Sequence, residues 1–377
     1  MSNFNNAQAA TANGLDKVVA AETALSHVDG EAGRLIIADY DVDTLVATHD
    51  FEAAAALLWA TAGLDPAPSA ESVRDELGEA RVAAFSLVPV LLAATKGLTV
   101  TESLRAGLSL LADDDASDMP AHIRAVGAVP VFVAALCRRQ MGEGAVAPVA
   151  HAGHAADFLR MLRSEPGNAA EIEALNAYLV TVMDHGMNAS TFTARVIAST
   201  RAGLISAVVG ALGALKGPLH GGAPGPVLDM LDDIATRDNI KPWLMREIQK
   251  GERLMGFGHR VYKVRDPRAD VFNNAVMLLT NGNAKGTERI RFARDVEEVA
   301  LATLKEMKPD QRLDTNMEYY TSVLLEALDI PRSAVTAVFA LSRIVGWSAH
   351  VMEQERVGRL IRPQSNYIGT WPDEQAA

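Results

Sequence analysis

The chain is poor in cysteine, in long apolar runs and in positive charge. Its 377 residues include one cysteine, Cys137. That count excludes an internal disulfide or a cysteine-based zinc site and suits a reducing compartment. The thiol reads as a small core side chain rather than a nucleophile. The longest apolar runs, 83–95 and 125–137, fall short of the ~20 residues that span a bilayer, and each contains a proline. The opening residues, MSNFNNAQAATAN, are polar and lack the basic-then-apolar order of a signal peptide, so 1–13 reads as a frayed tail. Lysine and arginine number 35 against 47 aspartate and glutamate, a net charge of −12. Such a chain is unsuited to nucleic acid or to an anionic membrane surface. An anionic ligand would need its positive charge from a few placed arginines. These absences together describe a soluble, cytoplasmic protein.

Hydrophobic residues make up 49% of the chain and charged residues 22%, ample for a large core. At ~150 residues per domain the length suggests about two domains. Residues 15–40 carry short β-type runs at 17–20 and 34–37, punctuated by Asp29-Gly30 and Gly33, which predicts a small hairpin region. From Val42 onward the apolar spacing is helical, as in FEAAAALLW, ESVRDELGEARVAAF and EIEALNAYLVTVMDH. No alternation of strands and helices follows, so the fold class is all-α. Glycine- and proline-rich breaks near 216–226 and 256–270 mark off a compact helical subdomain over 220–320. The larger unit then comprises 14–219 and 321–377.

The chain has no nucleophile elbow, no H-E-x-x-H, no P-loop and no carboxylate cluster suited to a metal. Three histidines sit in glycine-marked breaks. His185 closes a helix before Gly186, where it could cap the last carbonyls or contact a ligand. His220 precedes Gly221 and Gly222, which would let another molecule approach closely. A neighbouring helix N-terminus would keep its imidazole neutral and able to donate to a developing oxyanion. His259 follows Gly-Phe-Gly, with Arg260, Lys263, Arg265 and Arg268 after it; glycine-exposed amides beside basic side chains could hold a phosphate or carboxylate. Arg343 lies in an apolar helix and needs an anionic partner, internal or substrate. Thr315-Asn316-Met317-Glu318 matches a T-x-x-E capping box, which would occupy the Glu318 carboxylate. The inventory fits a metal-free reaction on a carboxylate-bearing substrate, with histidine donors and a carboxylate base.

Five stretches in order, HGMNAST, GPLHGGAP, LMGFGHRVYKVRDPRA, SRIVGWSAHVMEQ and RPQSNYIG, resemble the citrate synthase family, and the likeness covers about 14–369. The N-terminal segment is similar to the family's shorter bacterial and archaeal members. The resemblance implies a two-domain all-α homodimer whose small domain closes over the substrates. It implies condensation of oxaloacetate with acetyl-CoA and hydrolysis of citryl-CoA, with no bound cofactor and no metal. Carried over by motif, His220 would stabilise the enol, His259 would polarise the ketone and Glu318 would be the base. His185, Arg268 and Arg343 would hold oxaloacetate, and Arg362 would reach the partner subunit's site. The backbone of Leu254, Met255, Gly256, Phe257 and Gly258 would approach the CoA adenine, with Arg260 or Lys263 near its phosphates. At the base most of the family has aspartate, so Glu318 adds a methylene to the reach of the carboxylate.

Two rivals share this fold: a 2-methylcitrate synthase using propionyl-CoA, and a helical dimer without turnover. Isolated arginines in apolar helices argue against the second. A pocket that differs by one methylene discriminates only by about 10–200-fold, which the sequence alone does not resolve.

Overall fold

The structure is a computed structural model describing residues 15, 18–113, 118–221, 225–258, 262, 264–280, 284–311 and 313–371. A small antiparallel sheet opens it: β1 (Ser26–Asp29), β2 (Arg34–Ile37) and β3 (Tyr40–Asp41), in that order. The pairing of Asp29 with Arg34 leaves a tight turn, in which Asp29 Oδ1 accepts from the amides of Glu31 and Ala32 and Gly33 takes φ +67°. The first strand is therefore 26–29 and not the 17–20 run that the sequence suggested. Lys17 lies outside the described residues; Val18 and Val19 are exposed at 49% and 84% and pair with no strand among the described residues, whereas Leu25, Leu35 and Ile37 are buried.

Helices account for nearly everything else. The first group is α1 (Val42–Thr48), α2 (Phe51–Ala62), α3 (Ala70–Phe85), α4 (Val88–Ala94), α5 (Val100–Leu108) and α6 (Ala121–Gln140). There follow α7 (His154–Arg163), α8 (Ala169–Val182), α9 (Ala189–Ala198), α10 (Leu204–Leu215) and α11 (Gly225–Ile234). The last are α12 (Ile240–Gln249), α13 (Pro267–Thr280), α14 (Ala284–Met307), α15 (Met317–Ala327) and α16 (Val335–Val357).

Two of these form the centre. α6 packs on α3, α5 and α7, and α16 packs on α2, α6, α8 and α9. Both are mainly apolar and buried on most sides, as helices enclosed by others tend to be, with Arg343, His350 and Glu353 the buried charged or titratable exceptions on α16. By length and hydropathy α6, and α16 with the turn before it, could cross a membrane, but 89% and 83% of those windows are buried inside the protein. The apolar run at 125–137 thus belongs to a 20-residue helix, longer than the sequence suggested. Close approach of α6 to α3 needs Gly127, where a Cβ would stand 2.4 Å from Ala80 Cβ. Cys137 is buried in this core, which pushes its thiol up to about 12 and leaves it unreactive.

Candidate active site

The corner between α8 and α9 supplies the first side chains. α8 is C-capped by Met183, so His185 does not cap that helix. Its Nε2 lies 3.2 Å from the Tyr262 hydroxyl. Gly186 turns the chain at φ +57° and Asn188 caps α9, accepting from the amides of Ser190 and Thr191 at 3.1 Å. Ser190 Oγ then meets His220 Nε2 at 2.8 Å and accepts from Trp347 Nε1 at 3.1 Å.

His220 is half-buried beyond the end of α10. Burial, and next the charge of Arg343, bring its pKa down to about 4, so the ring is neutral. The sequence assigned that neutrality to a helix N-terminus, but α11 begins only at Gly225. Gly221 also has an internal reason: a Cβ there would stand 2.6 Å from the Leu215 carbonyl. Gly222 lies outside the described residues.

Facing His220 are two segments laced together. Phe257 and Thr315 form an antiparallel bridge, and the Gly258 amide donates to Asp314 O at 2.8 Å. Asn316 donates from its amide to Gly256 O at 2.9 Å and from Nδ2 to Gly258 O at 2.8 Å. The Gly258 amide, expected to face a phosphate, is therefore taken by the chain itself. Gly256 (φ +85°) is needed because a Cβ would stand 2.8 Å from the Tyr319 ring.

The same lacing frees Glu318. The helix cap is Asn316, whose Oδ1 accepts from the Glu318 amide at 3.0 Å. Thr315 turns its hydroxyl to Glu297 Oε1 at 2.6 Å, so the T-x-x-E capping box suggested by the sequence is not formed. The half-buried Glu318 carboxylate lines a cavity of about 280 Å³ with His220, Arg253, Leu254, Phe257 and Asn316. Burial raises its pKa, against the pull of Arg253 and Arg268. A raised pKa makes it a better base.

Two buried arginines stand behind this cavity. Arg343 is 2% exposed, and burial lowers its pKa to about 10, with Asp184 the countercharge and Arg268 adding repulsion. Among the described residues the one hydrogen-bond partner of its guanidinium is Val182 O, which Nε reaches at 2.7 Å. Its terminal nitrogens thus keep their donors for a ligand. Arg268 pairs with Asp266 through Nε and Nη2, at 2.9 and 2.8 Å, and lies over the Tyr262 ring at 5.4 Å.

The structure thus brings together His220, Glu318, Leu254, Met255, Gly256, Phe257 and Gly258 around one cavity. His220 and Glu318 each feel the charge of one of the two arginines, and His185 joins them through Tyr262. His259, Arg260 and Lys263 lie outside the described residues. Arg362 is exposed on the irregular segment after α16 and is not part of the cavity wall. Sequence reasoning missed Arg253, Asp184, Ser190 and Trp347. Ser190 and Trp347 do fall inside the quoted motifs, but only folding shows that they meet His220. Among the described residues no group of three or more His, Cys, Asp or Glu side chains could hold a metal.

With this geometry in view, the likeness to known proteins is specific. The family model for the citrate synthase C-terminal domain matches residues 14–364. The chain is 45% identical over 217 residues to putative citrate synthase 2 of Mycobacterium bovis, a match spanning 58% of this chain and 56% of that protein. It is 35% identical to citrate synthase 2 of Bacillus subtilis, covering 96% of both chains. It is 34% identical to a 2-methylcitrate synthase of Mycobacterium tuberculosis, covering 94% of this chain and 90% of that one. Among solved structures it is similar to the citrate synthase of Thermoplasma acidophilum, in ternary complex with carboxymethyl coenzyme A and oxaloacetate, at TM-score 0.81 and 27% identity, covering 95% of this chain and 96% of that one. A family model spanning nearly the whole chain, full-length relatives and the all-α fold agree: the chain belongs to the citrate synthase family.

Proposed function

We propose that this protein condenses oxaloacetate with acetyl-CoA and hydrolyses the resulting citryl-CoA to citrate and CoA. The observation that carries the reading is one small cavity lined by a half-buried carboxylate, Glu318, and a neutral histidine, His220.

A thioester methyl is a weak acid, so its proton leaves only if the enolate oxygen is stabilised as it forms. Glu318 takes that proton. His220 donates to the thioester oxygen. The Trp347 indole N–H donates to Ser190 Oγ. The Ser190 hydroxyl has two acceptors in reach, Asn188 Oδ1 at 2.7 Å and His220 Nε2 at 2.8 Å; the reaction needs it turned to His220, which leaves the ring's own proton on Nδ1 for the substrate. The enol carbon then attacks the ketone carbon of oxaloacetate, forming a C–C bond while His259 polarises the ketone oxygen. Water cleaves the thioester and CoA leaves as the thiol.

Arg343 and Arg268, with His185, hold the oxaloacetate carboxylates, and Arg362 of one chain completes the site of a second copy. The unit 220–320 closes over both substrates and excludes water. The 254–258 backbone stands against the CoA adenine.

The propionyl-CoA reading has a relative at nearly the same identity. Acetyl-CoA is the reading we put first, since the citrate synthase relatives cover this chain as fully as the 2-methylcitrate synthase one does and at slightly higher identity. CoA release with oxaloacetate and either thioester tests this. A kcat/KM for acetyl-CoA at least ~10-fold above that for propionyl-CoA is expected. The reverse order would make the protein a 2-methylcitrate synthase, and no release with either would refute the condensation.

A further inference from the structure

The N-terminal hairpin touches the site from outside, and the mechanism gives it no task. Ser26, on β1, places its hydroxyl between the two residues that flank His185. It donates to Asp184 Oδ2 and accepts from the Gly186 amide at 2.9 Å. Val28 of the same strand packs against Gly186, where a Cβ would stand 3.5 Å from Val28 Cγ2. At the other end of the hairpin, the turn glycine Gly33 presses on the segment that carries Tyr262 and Asp266. A Cβ at Gly33 would stand 2.5 Å from Val264 Cγ2 and 3.0 Å from Arg265 O. β2 also packs against α13, which bears Arg268.

Asp184 is fully buried, and its Oδ1 has no hydrogen-bond partner among the described residues. Three turns of α16 hold the same corner. Arg343 reaches Val182 O, Gly346 lets the helix press on Asp184, and His350 Nε2 donates to Asp184 Oδ2 at 3.2 Å. The direction of that last bond follows from Arg195, which donates to His350 Nδ1 at 2.9 Å. Besides α16, Ser26 gives this corner a side-chain hydrogen-bonded support from the hairpin. It meets the carboxylate on one side of His185 and the amide on the other, and His185 in turn meets Tyr262 beneath Arg268.

The geometry points to Ser26 as a positioning residue for oxaloacetate: it fixes the Asp184–Gly186 corner, and the hairpin turn ties that corner to the 262–266 segment. This rests on the oxaloacetate reading of His185 and Arg268. The hairpin is then a brace across both walls of the carboxylate site and not merely an edge of the core.

The experiment pairs kinetics with hydrogen exchange on Ser26→Ala and Ser26→Thr. In Ser26→Ala, KM for oxaloacetate rises about five- to tenfold, about the worth of one ordinary hydrogen bond, because the loss reaches the substrate only through His185. KM for acetyl-CoA changes less than ~2-fold, and Ser26→Thr, which keeps the hydroxyl, restores the oxaloacetate KM. In the ligand-free protein, Ser26→Ala speeds amide exchange in peptides covering 183–188 and 254–268, while α6 keeps its protection. An unchanged oxaloacetate KM, or faster exchange confined to the hairpin, overturns the inference. If the wild-type chain shows no turnover, the functional reading fails by itself, and the exchange pattern still decides whether the hairpin braces both walls.

Discussion

Burial holds three histidines neutral, and this has a consequence at the scale of single residues. His122 and His220 are brought from the usual 6.5 to about 4, and the fully buried His154 lies well below its ordinary value. In the unfolded chain each binds a proton below about 6.5, and in the folded chain none does until much lower pH. The unfolded state therefore binds more protons throughout that window, and stability falls as pH falls through it. Each unit of separation is worth at most ~1.4 kcal/mol per group, less for the half-buried His220. The thermal midpoint is expected to drop steadily between about pH 6.5 and 4, and His122→Phe should flatten part of that slope. A midpoint constant over the window would contradict neutral burial. The neutrality of His220 was legible in the sequence, but its cause was not, because the cause is burial first and then the charge of Arg343, a distant residue, and both come only with folding.

At the scale of elements, the start of α15 decides what Glu318 can do. Asn316 caps the helix and holds Gly256 and Gly258, so one side chain fixes the base and the facing loop together. Asn316→Ala should cost about 1–3 kcal/mol in denaturant unfolding, the sum of a lost cap and a buried carbonyl left without its donor. It should also lower kcat more than it raises either KM, because Glu318 is no longer aimed; loss of stability without loss of kcat would contradict the coupling. The sequence showed a legible capping box here, but at the wrong residue. Thr315 has a better acceptor in Glu297, which is 18 residues away and invisible to local pattern. The helices themselves were readable from apolar spacing, since helical period depends on neighbours in sequence. The first strand was misplaced by nine residues, because pairing depends on a partner and a turn. The bridge between Phe257 and Thr315 had no sequence signal.

At the scale of the whole molecule, the proposal that Arg362 completes the site of a second copy can be tested, since in its own chain it is exposed and off the cavity wall. The segment after α16 has no helix or strand and exposes Leu360, Tyr367, Ile368 and Trp371, apolar surface of the kind that a partner covers. If Arg362 serves the partner's site, Arg362→Ala and Arg343→Ala damage different sites of a mixed dimer. Each variant alone should be nearly inactive. Co-refolded in equal amounts they should regain about a quarter of wild-type activity, since half of the dimers are mixed and one of two sites in each is intact. No regain on mixing would place Arg362 in its own chain's site or outside any. Most of the candidate site was legible as motifs, because glycine-marked breaks and isolated arginines stand out against apolar helices. What stayed hidden were the supports, Asp184, Ser190, Trp347 and Arg253, ordinary residues whose meaning lies in what they touch.

The central claim is that the Glu318 carboxylate removes the methyl proton, and one substitution tests it most directly. Glu318→Gln keeps the shape of the side chain and leaves the Asn316 cap intact. The account predicts that CoA release from acetyl-CoA and oxaloacetate slows by about 10²–10⁴-fold in kcat, with the thermal midpoint essentially unchanged. Wild-type turnover in Glu318→Gln would contradict it and return this carboxylate to a first-turn charge that serves only its helix.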